Sequence, residues 1–250
     1  MFISFQKLFF LKIDGHWAND YGGPLFLLPG LVITCYITNT ELKEEEKKEM
    51  IRYLSNIQHD DGGWGLHLED KSTIFGTSMS YVTLRLLGLD KNDKRIQKAR
   101  NFLLNNDGAK GIPSWGKFWL CALGVYEWEG MNAVPPELWL LPYWVPMHPG
   151  RWWCHCRVVY LPMGYIYGTK SRPNPTPLIL QLREELYNEP YDKIDWKSLR
   201  FNVSTLDVYT PHSTLNKITF SKNLFFQKIT IYSQLKKRLS IFMKISIANG

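Results

Sequence analysis

Three aromatic turns recur along the chain: D-G-H-W ending at Trp17, D-G-G-W ending at Trp64 and I-P-S-W ending at Trp115, spaced by 47 and 51 residues. A period of about fifty residues is the size of a helix-turn-helix unit repeated in an array or closed ring. Each unit buries its apolar face against the next, so the turns restrict the chain to architectures assembled from stacked helical hairpins.

The flanks of the turns support helices. Thr38 and Glu41 have capping-box spacing ahead of E-E-E-K-K-E-M-I-R-Y-L-S-N-I-Q, where Met50, Tyr53, Leu54 and Ile57 share a face. That helix is expected to end near Gln58. A second is predicted across S-M-S-Y-V-T-L-R-L-L-G, with Met79, Val82 and Leu86 on one side and Gly88 as a left-handed cap. A third starts at Thr176 with Pro177 in its first turn, turns Leu178, Leu182 and Leu186 inward, and stops before Pro190. No segment sustains period-two alternation, so the expected class is all-α. Between Ile112 and Tyr167 seven prolines interrupt an aromatic-rich text, which predicts short helices and ordered loops.

Composition narrows the function classes. Apolar residues make up 45% of the 250, enough for a packed core, and no apolar run reaches the length of a membrane-spanning helix. Four scattered cysteines do not make a disulfide scaffold and point to a reducing compartment. The N-terminal M-F-I-S-F-Q-K-L-F-F-L-K lacks the basic start and cleavage site of a signal peptide. The net charge of +7 is confined to residues 216–250, which hold six Lys, one Arg and no acid; the preceding 215 residues balance 23 basic against 23 acidic groups. A nucleic-acid partner is therefore not expected.

Candidate sites are few. Cys154, His155 and Cys156 are adjacent, so they do not converge on one metal ion, and their spacing is not that of a C-x-x-C redox pair. Asp60 and Asp61 read as a solvated turn rather than paired acid/base carboxylates, and the charge run from Glu44 to Glu49 as a solvated helix face. Phosphate loops, nucleophile elbows, H-E-x-x-H and dinucleotide fingerprints are absent. What remains is aromatic density: Trp115, Trp119, Trp128, Trp139, Trp144, Trp152 and Trp153 fall within forty residues. Such indoles serve either as core or as the wall of an apolar cavity, where their π faces also stabilise positive charge.

Several long stretches resemble the oxidosqualene cyclases. They include D-G-H-W-A-N-D-Y-G-G-P-L-F-L-L-P-G from Asp14, Q-H-D-D-G-G-W-G-L-H-L-E-D-K-S-T-I-F-G-T from Gln58, I-P-S-W-G-K-F-W from Ile112, P-E-L-W-L-L-P from Pro136 and W-C-H-C-R-V-V-Y-L-P-M from Trp153. Shorter matches continue through L-R-E-E-L-Y, I-D-W and L-D-V-Y-T-P-H-S. The resemblance covers residues 14–215 and implies part of an α/α toroid that converts (3S)-2,3-oxidosqualene to a tetracyclic sterol without metal or organic cofactor. It also implies a monotopic seat on the endoplasmic reticulum membrane or a lipid droplet. Within the matching motifs, Tyr21 is similar to the tyrosine that shapes early ring folding. Trp115 and Trp153 resemble cavity walls, His155 a polar group facing the late cation, and Cys156 with Tyr160 the pair narrowing the substrate entrance. Gln58, Gly62 and Trp64 match the family's Gln-Trp motif, whereas residues 98–115 match it loosely.

The departures are as informative. The family's proton donor lies in a D-C-T-A-E segment, which does not occur here, so the chain is expected to be inactive alone. Residues 1–13 and 216–250 do not resemble the family. The latter read either as translated non-coding text or as a basic amphipathic helix for an anionic bilayer. The product is also open, because cycloartenol-type and protostadienol-type cyclases share much of this text. A second expectation is a non-catalytic part that holds hydrophobic ligand or docks on a membrane, with Trp115, Trp153 and their neighbours forming an exposed apolar patch.

Overall fold

The computed structural model describes residues 25–146 and 148–209, and Tyr21, Trp17 and both chain ends lie outside them. Among these described residues seven α-helices form the frame: α1 (Leu27–Ile37), α2 (Glu44–Asn56), α3 (Ile74–Leu86), α4 (Lys94–Asn105), α5 (Ser114–Leu123), α6 (Cys154–Thr169) and α7 (Pro177–Glu185). Among the described residues there is no strand, and the all-α class holds.

Helix α3 is the axle. Every residue from Ile74 to Arg85 is buried, including Thr77, Ser78, Ser80 and Thr83. Its small side chains permit close neighbours: a Cβ on Gly76 would lie 2.4 Å from the Trp64 carbonyl. Its N-terminus is doubly capped. Thr73 Oγ1 accepts from Gly76 N at 3.0 Å, and the Asp207 carboxylate, far along the chain, accepts from Ile74 N and Phe75 N, each at 3.0 Å. The C-terminus closes as expected at Gly88 (φ +101°). There Gly88 N donates to Arg85 O and Leu89 N to Leu84 O, the two bonds of a Schellman motif.

A buried ion pair joins α3 to α7. Arg85 and Glu185 are each 7% exposed at the side chain. Nε of Arg85 donates to Oε2 at 2.9 Å and Nη2 to Oε1 at 3.1 Å, while Tyr81 OH donates to Oε2 at 2.7 Å. The remaining Arg85 donors reach Leu89 O and Gln181 Oε1. Burial, with the Glu185 anion beside it, drives the Tyr81 phenol well above its ordinary range.

Two expectations require correction. Helix α2 begins at Glu44, where Lys43 N donates to Glu46 Oε2 at 3.0 Å. Thr38 instead donates its hydroxyl to Thr34 O at 2.8 Å and completes the end of α1. The second correction is α6, the longest of the described helices, which runs through Pro162 where interruption was expected. Proline forgoes the bond to Val158, a loss tolerated here because Val158 lies on an exposed stretch. The rest of the proline-rich segment does form short turns, at Trp128–Gly130, Pro136–Leu140 and Pro149–Arg151. The Thr176 start of α7 is as expected, its Oγ1 accepting from Ile179 N at 3.3 Å.

Candidate functional site

The Gln58–Trp64 turn is a lock between helix ends. Gln58 Nε2 donates to Gly62 O at 2.8 Å and to Arg95 O, in the first turn of α4, at 2.9 Å. Trp64 is fully buried and its indole N–H donates to Leu54 O at 2.9 Å, near the end of α2. Gly62 has φ +91°, and a Cβ there would meet the Lys98 carbonyl at 2.6 Å. Asp61 Oδ1 accepts from Gly63 N and Ser72 Oγ, so this carboxylate fastens the turn.

The aromatic region is organised by α5, which starts after Pro113 and ends at Gly124 (φ +90°). Trp115, Phe118, Trp119 and Ala122 follow i, i+3, i+4, i+7 spacing and form one stripe. That stripe is one wall of an open trough of about 700 Å³. The facing wall comes from α6, through Val158, Val159, Pro162, Met163 and Ile166. Thr34, Ile37 and Thr38 of α1 and the 171–173 turn complete it. Among the described residues no carboxylate lines the trough, and the lining cation Arg172 is engaged by Glu127 at 2.9 and 3.0 Å.

The sequence-predicted residues fall into three groups. Trp115 is half-buried in the trough wall and stacks on Tyr160, with centroids 6.3 Å apart and an interplanar angle of 11°. Tyr160 meets Trp152 edge-on at 5.8 Å, and Cys156 is half-buried one turn earlier on α6. Trp153 and His155 are exposed at the helix start, their rings edge-on at 4.5 Å. Gln58, Gly62 and Trp64 belong to the lock. Among the described residues no three His, Cys, Asp or Glu side chains are grouped to hold a metal. The arrangement can exclude water from an apolar ligand and present π faces to a cation.

Sequence reasoning missed the α6 wall, because the proline argument dissolved that helix. It also missed the stripe, although S-W-G-K-F-W-L-C-A carries it openly in its spacing.

Comparison with known proteins agrees with the geometry. Residues 9–230 match the squalene-hopene cyclase N-terminal domain, a span extending beyond 14–215 at both ends. The chain is 58% identical to cycloartenol synthase of Dictyostelium discoideum over 85% of its length and 30% of that protein's. It is 56% identical to lanosterol synthase of Mus musculus over 83% of the chain and 28% of that protein. With lanosterol synthase of Saccharomyces cerevisiae the identity is 47%, over 98% of the chain and 34% of that protein. The chain thus spans about a third of the length of these relatives. A buried Gln-Trp lock, a helical frame and an aromatic trough are placed here by a sequence that belongs to the squalene-hopene and oxidosqualene cyclase family.

Proposed function

We propose that this chain supplies part of an aromatic cavity in which (3S)-2,3-oxidosqualene is cyclised to a sterol such as lanosterol. The observation that carries this reading is the trough between α5 and α6. Its volume of about 700 Å³ and its tryptophan and aliphatic lining suit a long hydrocarbon. Trp115 lines the trough and is backed by Tyr160, which stacks on it, and a π face on that wall suits a migrating carbocation. The acid that opens the epoxide is not supplied by these 250 residues, which contain no D-C-T-A-E. Binding without turnover is the expected behaviour of this chain alone.

The test is incubation of the purified chain with labelled oxidosqualene in detergent. Quenching of tryptophan fluorescence without any cyclic product is the expected result. A cyclic product would refute the missing-acid argument, and absence of quenching would refute the cavity.

A second reading is favoured by a separate observation. Leu140, Leu141, Tyr143, Trp144 and Trp153 are all exposed, and the Arg151 guanidinium lies 5.1 Å from the Tyr143 ring. Aromatic residues interleaved with arginine suit a lipid headgroup boundary, so this face would rest on a membrane of the endoplasmic reticulum or a lipid droplet. In this second reading the contact is monotopic; no described helix is long and apolar enough to cross a bilayer.

A further inference from the structure

Lys117 is fully buried, yet it lies in the middle of the aromatic stretch of α5. Its ammonium donates to three backbone carbonyls: Leu199 at 2.6 Å, Arg200 at 3.1 Å and Asn202 at 3.0 Å. Three N–H donors meet three acceptors, so the cradle takes up the full donor capacity of a charged lysine. The cradle is itself held in place. Arg200 Nη2 donates to Glu129 O at 2.9 Å, Ser204 N to Gly111 O at 2.8 Å, and Asp207 is bonded to the start of α3.

Helical geometry gives the position its meaning. At 100° per residue, Lys117 is about 200° from both Trp115 and Trp119, on the opposite side of α5 from the trough. At a helix radius of ~5–6 Å, a rotation of about 10° about the axis carries a ring edge about 1 Å. Gly124 lets the chain turn at the end of α5 (φ +90°), and Gly116 brings the helix backbone so close to Ile112 and Phe75 that an added Cβ would lie 2.3 Å from the Ile112 side chain. Apolar packing holds α5 against the core, and the three directional bonds of Lys117 add a polar pin at the back that specifies its rotation.

We infer that Lys117 is a positioning residue, one that sets the rotation of α5 through the 199–202 carbonyls and so aims Trp115, Phe118 and Trp119 into the trough. The inference rests on the proposed reading of the trough as a triterpene wall, and it assigns the lysine a role in ligand geometry beyond holding the chain folded. Burial lowers the Lys117 ammonium to about 8. The titratable groups that face it are Cys121, one turn along α5, and Arg200 on the cradle. Burial holds the Cys121 thiol well above its ordinary value, so it stays protonated near pH 8. Deprotonated lysine has two N–H donors for three carbonyls, and the pin loosens.

The experiment labels the whole 250-residue chain with 5-fluorotryptophan and assigns the Trp115, Trp119 and Trp153 signals by single Trp→Phe changes. Binding of 2,3-oxidosqualene in detergent is measured alongside. Lys117→Met should keep its helical circular dichroism, shift the Trp115 and Trp119 signals, leave Trp153 in place and weaken oxidosqualene binding about tenfold. A folded Lys117→Met with Trp115 and Trp119 unmoved overturns the inference. If that variant does not fold, the wild type decides: both signals should move with a midpoint near pH 8, and signals static from pH 6 to 9 overturn it. Signals that move in a wild type that binds no oxidosqualene leave the positioning role standing and reject the ligand reading, so the two failures are distinguishable.

Discussion

Trp64 and Trp153 are the same residue in two opposite environments. Trp64 is 0% exposed, with its N–H bonded to Leu54 O, inside a turn that clamps α2 to α4. Trp153 is 68% exposed at the start of α6, its ring against His155. The region around α3 is closed, capped and bonded. The region from Leu140 to Tyr160 leaves large apolar rings uncovered. The contrast teaches that aromatic density in this chain serves two purposes, and that burial separates them where residue identity does not.

The strongest way to break the comparison is Trp64→Ala. A fully buried indole with a hydrogen bond leaves a cavity, and its loss should cost ~3–5 kcal/mol of unfolding free energy by urea titration. A loss below about 1 kcal/mol would mean that the lock is no more structural than the open face.

Next in size is Asp207, which ties the closed region to a segment 133 residues along from Ile74. Burial raises its carboxyl to about 6, against the pull of the Ile74 and Phe75 N–H groups. The folded pKa therefore lies above the unfolded value of about 4. A raised pKa means that the native state binds the proton more tightly, so the contribution is full below pH ~4 and is lost as pH rises through about 6. Two units correspond to about 3 kcal/mol. Unfolding titrations at pH 4 and pH 7 should show wild-type stability falling by that amount relative to Asp207→Asn. A pH-independent difference would show Asp207 to be an ordinary solvated carboxylate.

Gly62→Ala is smaller. The positive φ alone costs ~1–3 kcal/mol for a side chain, and the Lys98 carbonyl 2.6 Å from the new Cβ adds to it. The melting temperature should fall by several degrees. An unchanged melting temperature would show that the turn can relax away from α4.

How much of this was legible depended on range. Gly88 and Thr176 were read correctly because each acts within a few residues of itself. The Gln58–Trp64 segment was visible as an aromatic turn, but its bond to Arg95 O spans 37 residues and no spacing announces it. The Thr38–Glu41 spacing misled because the same hydroxyl can serve the helix behind it, and Thr38 bonds Thr34 O instead. Pro162 misled because the penalty for proline inside a helix depends on whether the freed carbonyl can reach water, which sequence does not state. Arg85 with Glu185 and Asp207 with Ile74 are pairs made across 100 and 133 residues, and no periodicity announces them. Within the candidate site, the indoles were visible as composition, but their division between wall, lock and exposed face is a property of packing.

The smallest stability effect is the most discriminating. Trp144, 76% exposed, and Trp153, 68% exposed, make few contacts to lose, so Trp144→Ala and Trp153→Ala should each change unfolding free energy by less than ~0.5 kcal/mol. Their rings nevertheless present apolar area to whatever covers the 140–160 face, and partition into phosphatidylcholine vesicles should fall several-fold in the double variant. Trp64→Ala, tested at a temperature where it remains folded, should bind vesicles like the wild type. If instead the exposed pair proved costly to fold and irrelevant to vesicles, the open face would be part of the frame, and the separation of lock from lining would collapse.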